Sequence, residues 1–169
     1  MNFDVDELFN FLDKLRKESD RGAVLISGAI LEERLSDILH AFLLDHRTSV
    51  ELLDGSNAPL GTFSSKINAC YSLGLIQKNE FEELNTIRKI RNEFAHKWDN
   101  LDFATSKIKD LTMNLPWTGG PSDSKLQFIP KERFSFAVSM LLTDLLWRAK
   151  LVALEKRIDR IWPDKGRDE

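Results

Sequence analysis

Apolar residues recur at steps of three and four along nearly the whole chain, the period of a helix that buries one face. Val5, Leu8, Phe9, Leu12 and Leu15 predict a first helix over about 4–18. Ser19 and Asp20 then offer a cap and a negative charge to the start of a second helix, over about 21–46. That helix carries two adjacent stripes. One is Val24, Gly28, Leu31, Leu35, Ile38 and Phe42; the other is Leu25, Ala29, Glu32, Ser36, Leu39 and Leu43. Two neighbouring apolar stripes mean packing on more than one side, so this is the expected central helix of a bundle.

Turn residues interrupt the pattern at 47–61, with Asp54-Gly55, Asn57, Pro59 and Gly61, and leave room for a short helical turn at 48–53. Phe63, Ile67, Cys70, Tyr71 and Leu73 predict a helix that Gly74 stops. A strong helix follows over 78–97, with Phe81, Leu84, Ile87, Ile90 and Phe94 inward, and another over 102–113. The one long connection, 114–130, centres on Gly119-Gly120-Pro121, and its alternation predicts a small two-stranded ribbon near 115–129. Phe134, Val138, Leu141, Leu145, Ala149 and Val152 predict a last helix over 131–162. At 1.5 Å per residue it would reach ~45 Å, so its C-terminal half should project or pack on another subunit. The expectation is all-α: one domain over 1–169, a bundle of six or seven helices.

Composition narrows the function. The chain has 169 residues, enough for a real core, and 24 Lys and Arg against 27 Asp and Glu, a net charge of −3. That balance argues against a surface that grips phosphate throughout. A lone Cys70 excludes an intrachain disulfide and a Cys-based zinc site. The acidic N-terminus is unlike a signal peptide, and the apolar runs are far short of the ~20 residues of a spanning helix, which predicts a cytoplasmic protein and no membrane contact.

The sharpest chemistry lies in Ile90-Arg91-Asn92-Glu93-Phe94-Ala95-His96, near a helix C-terminus. Asn92 and His96 are four apart and share a face, and Arg91 can reach the same end. A guanidinium holds phosphate or carboxylate bidentately, and an imidazole can move a proton near neutral pH. The same set could simply cap carbonyls and pair with a buried acid on a neighbouring helix. Glu32 is the candidate, since it interrupts an apolar stripe and an unpaired buried carboxylate is costly.

Three segments together resemble the mannitol operon repressor family of bacterial proteins: Ser19 to Leu35, Pro59 to Ala69, and Ile87 to His96. The resemblance implies an all-helical domain and repressor-like transcriptional regulation. The Arg-Asn-x-x-x-His piece also resembles the Arg-x4-His signature of HEPN domains, which include ribonuclease toxins. That likeness implies metal-independent RNA cleavage or nucleotide binding, with Arg91 and His96 as the catalytic pair, Asn92 supporting, and two subunits joining their sets in a homodimer. No basic groove accompanies it.

Direct DNA reading has weak candidates. Ser64 to Ile90 has the outline of a helix-turn-helix, but its second helix opens with Glu80, Glu82 and Glu83, which would repel phosphate. The basic groups Lys14/Arg16/Lys17, Arg88/Lys89/Arg91 and Arg148/Lys150/Lys156/Arg157/Arg160 are interleaved with acids or apolar residues, as solvated faces are. The last set is the best of them, on the expected projecting helix. His40 and His46, with Asp37, Asp45 and Glu51 nearby, do not share a face, so no metal site is expected. Cys70 reads as a buried inert thiol, and no cofactor motif is present. Trp98 could shield the Arg-Asn-His set, Trp117 could anchor a partner, and Trp147 should be core or interface. The reading these residues favour is a non-enzymatic regulator working through transcription-related protein partners, with the ribonuclease as its rival and a direct DNA-binding dimer third.

Overall fold

The computed structural model describes residues 5–55, 57–97, 101–115 and 130–163. Within them lie eight α-helices and one 3-10 turn, with no strand. In order they are α1 (Val5–Lys17), α2 (Asp20–Phe42), α3 (Arg47–Leu53), α4 (Phe63–Ser72), α5 (Lys78–His96), α6 (Ser106–Met113), α7 (Pro130–Leu146) and α8 (Arg148–Val152), followed by the turn Ala153–Glu155. The expected ribbon near 115–129 lies almost wholly outside the described residues, as do Trp98 and Trp117.

Local chemistry sets most boundaries. The Ser19 hydroxyl accepts the Gly22 amide at 3.0 Å and opens α2. Thr62 and Ser65 exchange side-chain-to-backbone bonds of 3.1 Å each in a capping box that opens α4. That helix closes at Gly74, whose φ of +72° suits a residue without Cβ. There the Leu75 amide reaches the Cys70 carbonyl at 2.8 Å and the Gly74 amide reaches Tyr71 at 3.0 Å. Pro130 occupies the first position of α7, where its missing N–H costs nothing.

α2 is the centre, as its double stripe predicts. It packs against α1, α3, α4, α5, α7 and α8. Leu31, Leu35, Ile38 and Leu39 are fully buried, and they join one continuous core with Ile67, Leu84, Ile87, Ile90, Phe94, Phe134 and Leu142.

The last helix differs from the expectation. α7 stops at Leu146, α8 adds little more than a turn, and residues 156–163 are not helical. The tail beyond it is held by tertiary contacts. The Arg157 amide donates to the Phe42 carbonyl at 2.8 Å, and its guanidinium lies 4.6 Å from the Phe42 ring centre. The chain is thereby folded onto the end of α2 instead of running straight on. Lys156, Arg157 and Arg160 therefore do not lie along one projecting helix with Arg148 and Lys150, as expected from the periodicity.

Candidate functional site

The Arg91–His96 segment forms the last turns of α5, next to the first turns of α2. Arg21 of α2 ties the two together: its guanidinium donates to the Phe94 carbonyl and, at 2.5 Å, to that of Lys97. These are carbonyls that a helix end leaves without partners, and a cation there also suits the helix dipole. Asp20, one residue earlier, accepts the Phe103 amide at 3.1 Å and pairs with Lys131 at 3.0 Å. The N-terminus of α2, the C-terminus of α5 and the start of α7 are thus fastened at one end of the bundle.

Arg91 is half-buried. Its aliphatic stem crosses α2 at Gly28, where an added Cβ would stand 2.9 Å from the Arg91 Cγ. Its Nη1 donates to the Asn92 Oδ1 at 3.3 Å. Asn92 is half-buried as well, whereas His96 is exposed. Five helical residues turn the chain about 140° beyond a full circle, so Arg91 and His96 leave α5 in different directions. Glu93 lies between them and is held by Lys107 at 2.6 Å and Lys97 at 3.3 Å.

Glu32 does not join this set. Its ion-pair partner among the described residues is Lys66 of α4, at 3.4 Å, and its side chain keeps 24% of its exposure. The expectation of a fully internal Glu32 beside Arg91 is corrected on both counts. α4 crosses α2 one turn beyond Gly28 and supplies the nearer cation. The signal was present: Lys66 falls on the same helical face as Phe63, Ile67 and Cys70, so its ammonium needed an acid across the interface.

A second polar cluster, missed in the sequence, sits at the other end of α5. Glu80 is buried to 2% exposure. Its carboxylate receives the Arg148 guanidinium bidentately, at 2.6 and 3.1 Å, and the Gln77 amide at 2.6 Å. Arg148 also donates to the Leu75 carbonyl at 2.9 Å. The spacing Glu80, Leu84, Ile87 places the acid on the buried stripe, which marks it as paired. Glu83 and Asp144 lie beside the pair. Burial, then the Asp144 and Glu80 charges, push the Glu83 carboxyl up to about 7. Burial and Glu80 also raise Asp144, against the pull of Arg148.

The remaining candidates have structural work. Cys70 is buried, its thiol faces the Leu35 carbonyl at 3.8 Å, and burial pushes its pKa up to about 12. His46 caps α3 by accepting the Thr48 amide, and His40 stands 3.4 Å from Asp54. No group of three metal-ligating side chains occurs among the described residues. Trp147 is about half-exposed beneath the Lys150 ammonium, so it is not core. No helix among the described residues is long and apolar enough to cross a membrane.

Fold and clusters together define an all-helical bundle whose polar groups are mostly spent on joining helices. Its class is settled by comparison: residues 4–140 match the model of the mannitol repressor family, and the chain belongs to that family. It is 29% identical over 112 residues to the mannitol operon repressors of Escherichia coli K12 and of E. coli O6:H1 strain CFT073. The match takes in 59% of this chain and 57% of theirs, so the chain spans little more than half the length of these curated relatives. In fold it is similar to the structure described as the MtlR–HPr complex from Escherichia coli, with a TM-score of 0.55 at 23% identity, over 86% of this chain and 98% of that one.

Proposed function

We propose that this chain is a repressor-like regulator that acts through a protein partner and does not read DNA by itself, and that HPr is a partner of the kind it takes. Family membership and the HPr complex of its structural neighbour support a regulator with a protein partner of that kind. The observation that speaks against direct DNA reading is the state of the α4–α5 hairpin, the segment with the outline of a helix-turn-helix. Its second helix opens with Glu80 turned into the core, Glu82 exposed and Glu83 half-buried. A recognition helix presents its first turns to base edges between two phosphate backbones, and this one would present the Glu82 carboxylate there, with Glu80 spent on Arg148.

A second reading, metal-independent RNA cleavage by Arg91 and His96 with Asn92 supporting, draws on the exposure of His96 and the partial exposure of Arg91 at one helix end. Against it, the two side chains diverge, and Arg91 is occupied by Gly28 and Asn92.

One set of measurements on the purified protein separates these readings. Calorimetric titration should show saturable binding of HPr, and a defined operator duplex should not shift at physiological salt. RNA incubated without metal should survive equally with wild type, Arg91→Ala and His96→Ala. A salt-resistant nanomolar duplex shift would overturn the proposal. So would RNA cleavage that both variants abolish, which would install the ribonuclease reading in its place.

A further inference from the structure

The C-terminal stretch shows a pattern its own fold does not use. Trp147, Leu151, Leu154, Ile158 and Ile161 follow one another at steps of 4, 3, 4 and 3. These are the d and a positions of a heptad seam. All five are exposed: Leu151, Leu154 and Ile158 retain 60%, 85% and 75% of their surface, and Ile161 is wholly in solvent. The opposite face of α8 is already taken, since Val152 is buried and Ala149 packs against the core. α8 therefore sits on the body of the protein by one face and turns Leu151 outward on the other, while Leu154, Ile158 and Ile161 follow in the 3-10 turn and the non-helical stretch beyond it. Beyond α8, the positions away from the seam are Lys156, Asp159 and Arg160, which suit a helix surrounded by water.

We propose that residues 147–162 pair in parallel with the same residues of a second copy of this chain, forming a continuous two-stranded helical seam.

Charge selects that occupant and direction. With Leu151 and Ile158 at a, Lys150 falls at g and Glu155 at e. In a parallel, in-register pair a g residue meets the e residue five positions on in the other strand, so Lys150 meets Glu155 of the second copy. Arg157, the next g residue, meets Trp162 in the same way, a cation over an aromatic ring. An antiparallel pair centred on the segment would instead set Glu155 against Glu155. Pro163 ends the seam, because a proline disfavours helix in the residue before it.

The monomer holds the segment in another way. The Arg157 amide is bonded to the Phe42 carbonyl and the guanidinium lies over the Phe42 ring. Pairing must release both contacts, and in return it covers apolar side chains that the monomer leaves in water. A helix of this length is marginal alone. Helix formation and association are therefore coupled, and the dimer is concentration-dependent.

The test uses the full chain. Sedimentation equilibrium from sub-micromolar to hundreds of micromolar should show the mass rising toward twice that of the chain, with helical circular dichroism rising in step. Leu154→Glu and Ile158→Glu alter exposed side chains only, so at dilutions where wild type is monomeric they should melt like it, yet weaken association more than about tenfold. Leu154→Cys and Ile161→Cys, made singly, should each form a disulfide between copies on mild oxidation, because in a parallel seam both positions face themselves. Cys70 is buried and does not compete. A monomer at every concentration would overturn the proposal. So would a dimer equally strong in the two glutamate variants, or crosslinking at only one of the two introduced cysteines.

Discussion

Glu83 has neighbours that make its charge expensive to hold. Burial removes water from its carboxylate, and Asp144 and Glu80 add negative charge beside it, with only an Asn79 hydrogen bond in its favour. Arg148, which also faces Asp144, is committed to Glu80 through two bonds. The folded protein therefore binds a proton at Glu83 up to about pH 7, whereas the unfolded chain releases it near the usual 4.5. Between those values the native state carries the extra proton, so this group makes stability fall as pH rises. The penalty is complete above about pH 7 and is relieved as pH drops toward 4.5; Asp144, also raised, acts in the same direction. Urea unfolding at pH 8 should find Glu83→Gln more stable than wild type, with the difference closing by pH 5. A difference that grew on acidification would place the carboxylate in a stabilising site. Of these residues the sequence shows only a run of acids. Which one turns inward is set by the buried stripe, and which cation meets it depends on a residue 68 positions away.

α5 is fixed at both ends by arginines from other helices. At its start, Arg148 of α8 holds Glu80 and the Leu75 carbonyl; at its finish, Arg21 of α2 holds the carbonyls of Phe94 and Lys97. The first contact is the more deeply buried, with the Glu80 side chain 3% and that of Arg148 18% exposed. Arg148→Ala leaves a buried carboxylate unpaired and should cost about 3 kcal/mol, read as a lower urea midpoint with an unchanged slope. A loss under about 1 kcal/mol would mean that water replaces the arginine. The helices themselves were legible because periodicity, caps and glycine stops are local. Ser19 and Gly74 fall where the pattern demands, whereas the Thr62–Ser65 capping box emerges only from the structure. The end of the last helix was not legible, because no glycine or proline marks it before Pro163. The tail that follows it is held by a bond from Arg157 to a carbonyl 115 residues away in sequence.

Across the whole molecule, three phenylalanine rings join elements that are remote in sequence. Phe94 of α5 meets Phe103 at 5.8 Å between ring centres, and Phe103 meets Phe134 of α7 at 5.3 Å, each pair tilted by nearly 50°. Phe94 and Phe134 are fully buried and Phe103 almost so. The same end is tied by polar contacts, with Asp20 receiving the Phe103 amide and pairing with Lys131. The double stripe of α2 announced a centre, but no local signal placed Phe103, outside any helix, between two helix stripes. Its position decides how cooperative the fold is. Phe134→Ala should open a cavity that Phe103 and Phe94 cannot close without moving α5 against α7, at about 3–5 kcal/mol. That is a large share of the 5–15 kcal/mol typical of a domain. Trp147→Ala removes a larger side chain from a half-exposed site and should change stability by about 0.5 kcal/mol or less. Chemical unfolding of both variants, followed by circular dichroism and by tryptophan fluorescence, checks the pair. If the ends of the bundle unfold as one, the Phe134→Ala transition moves to lower denaturant and the two probes stay together. If the probes separate, the ring row links two units that unfold independently.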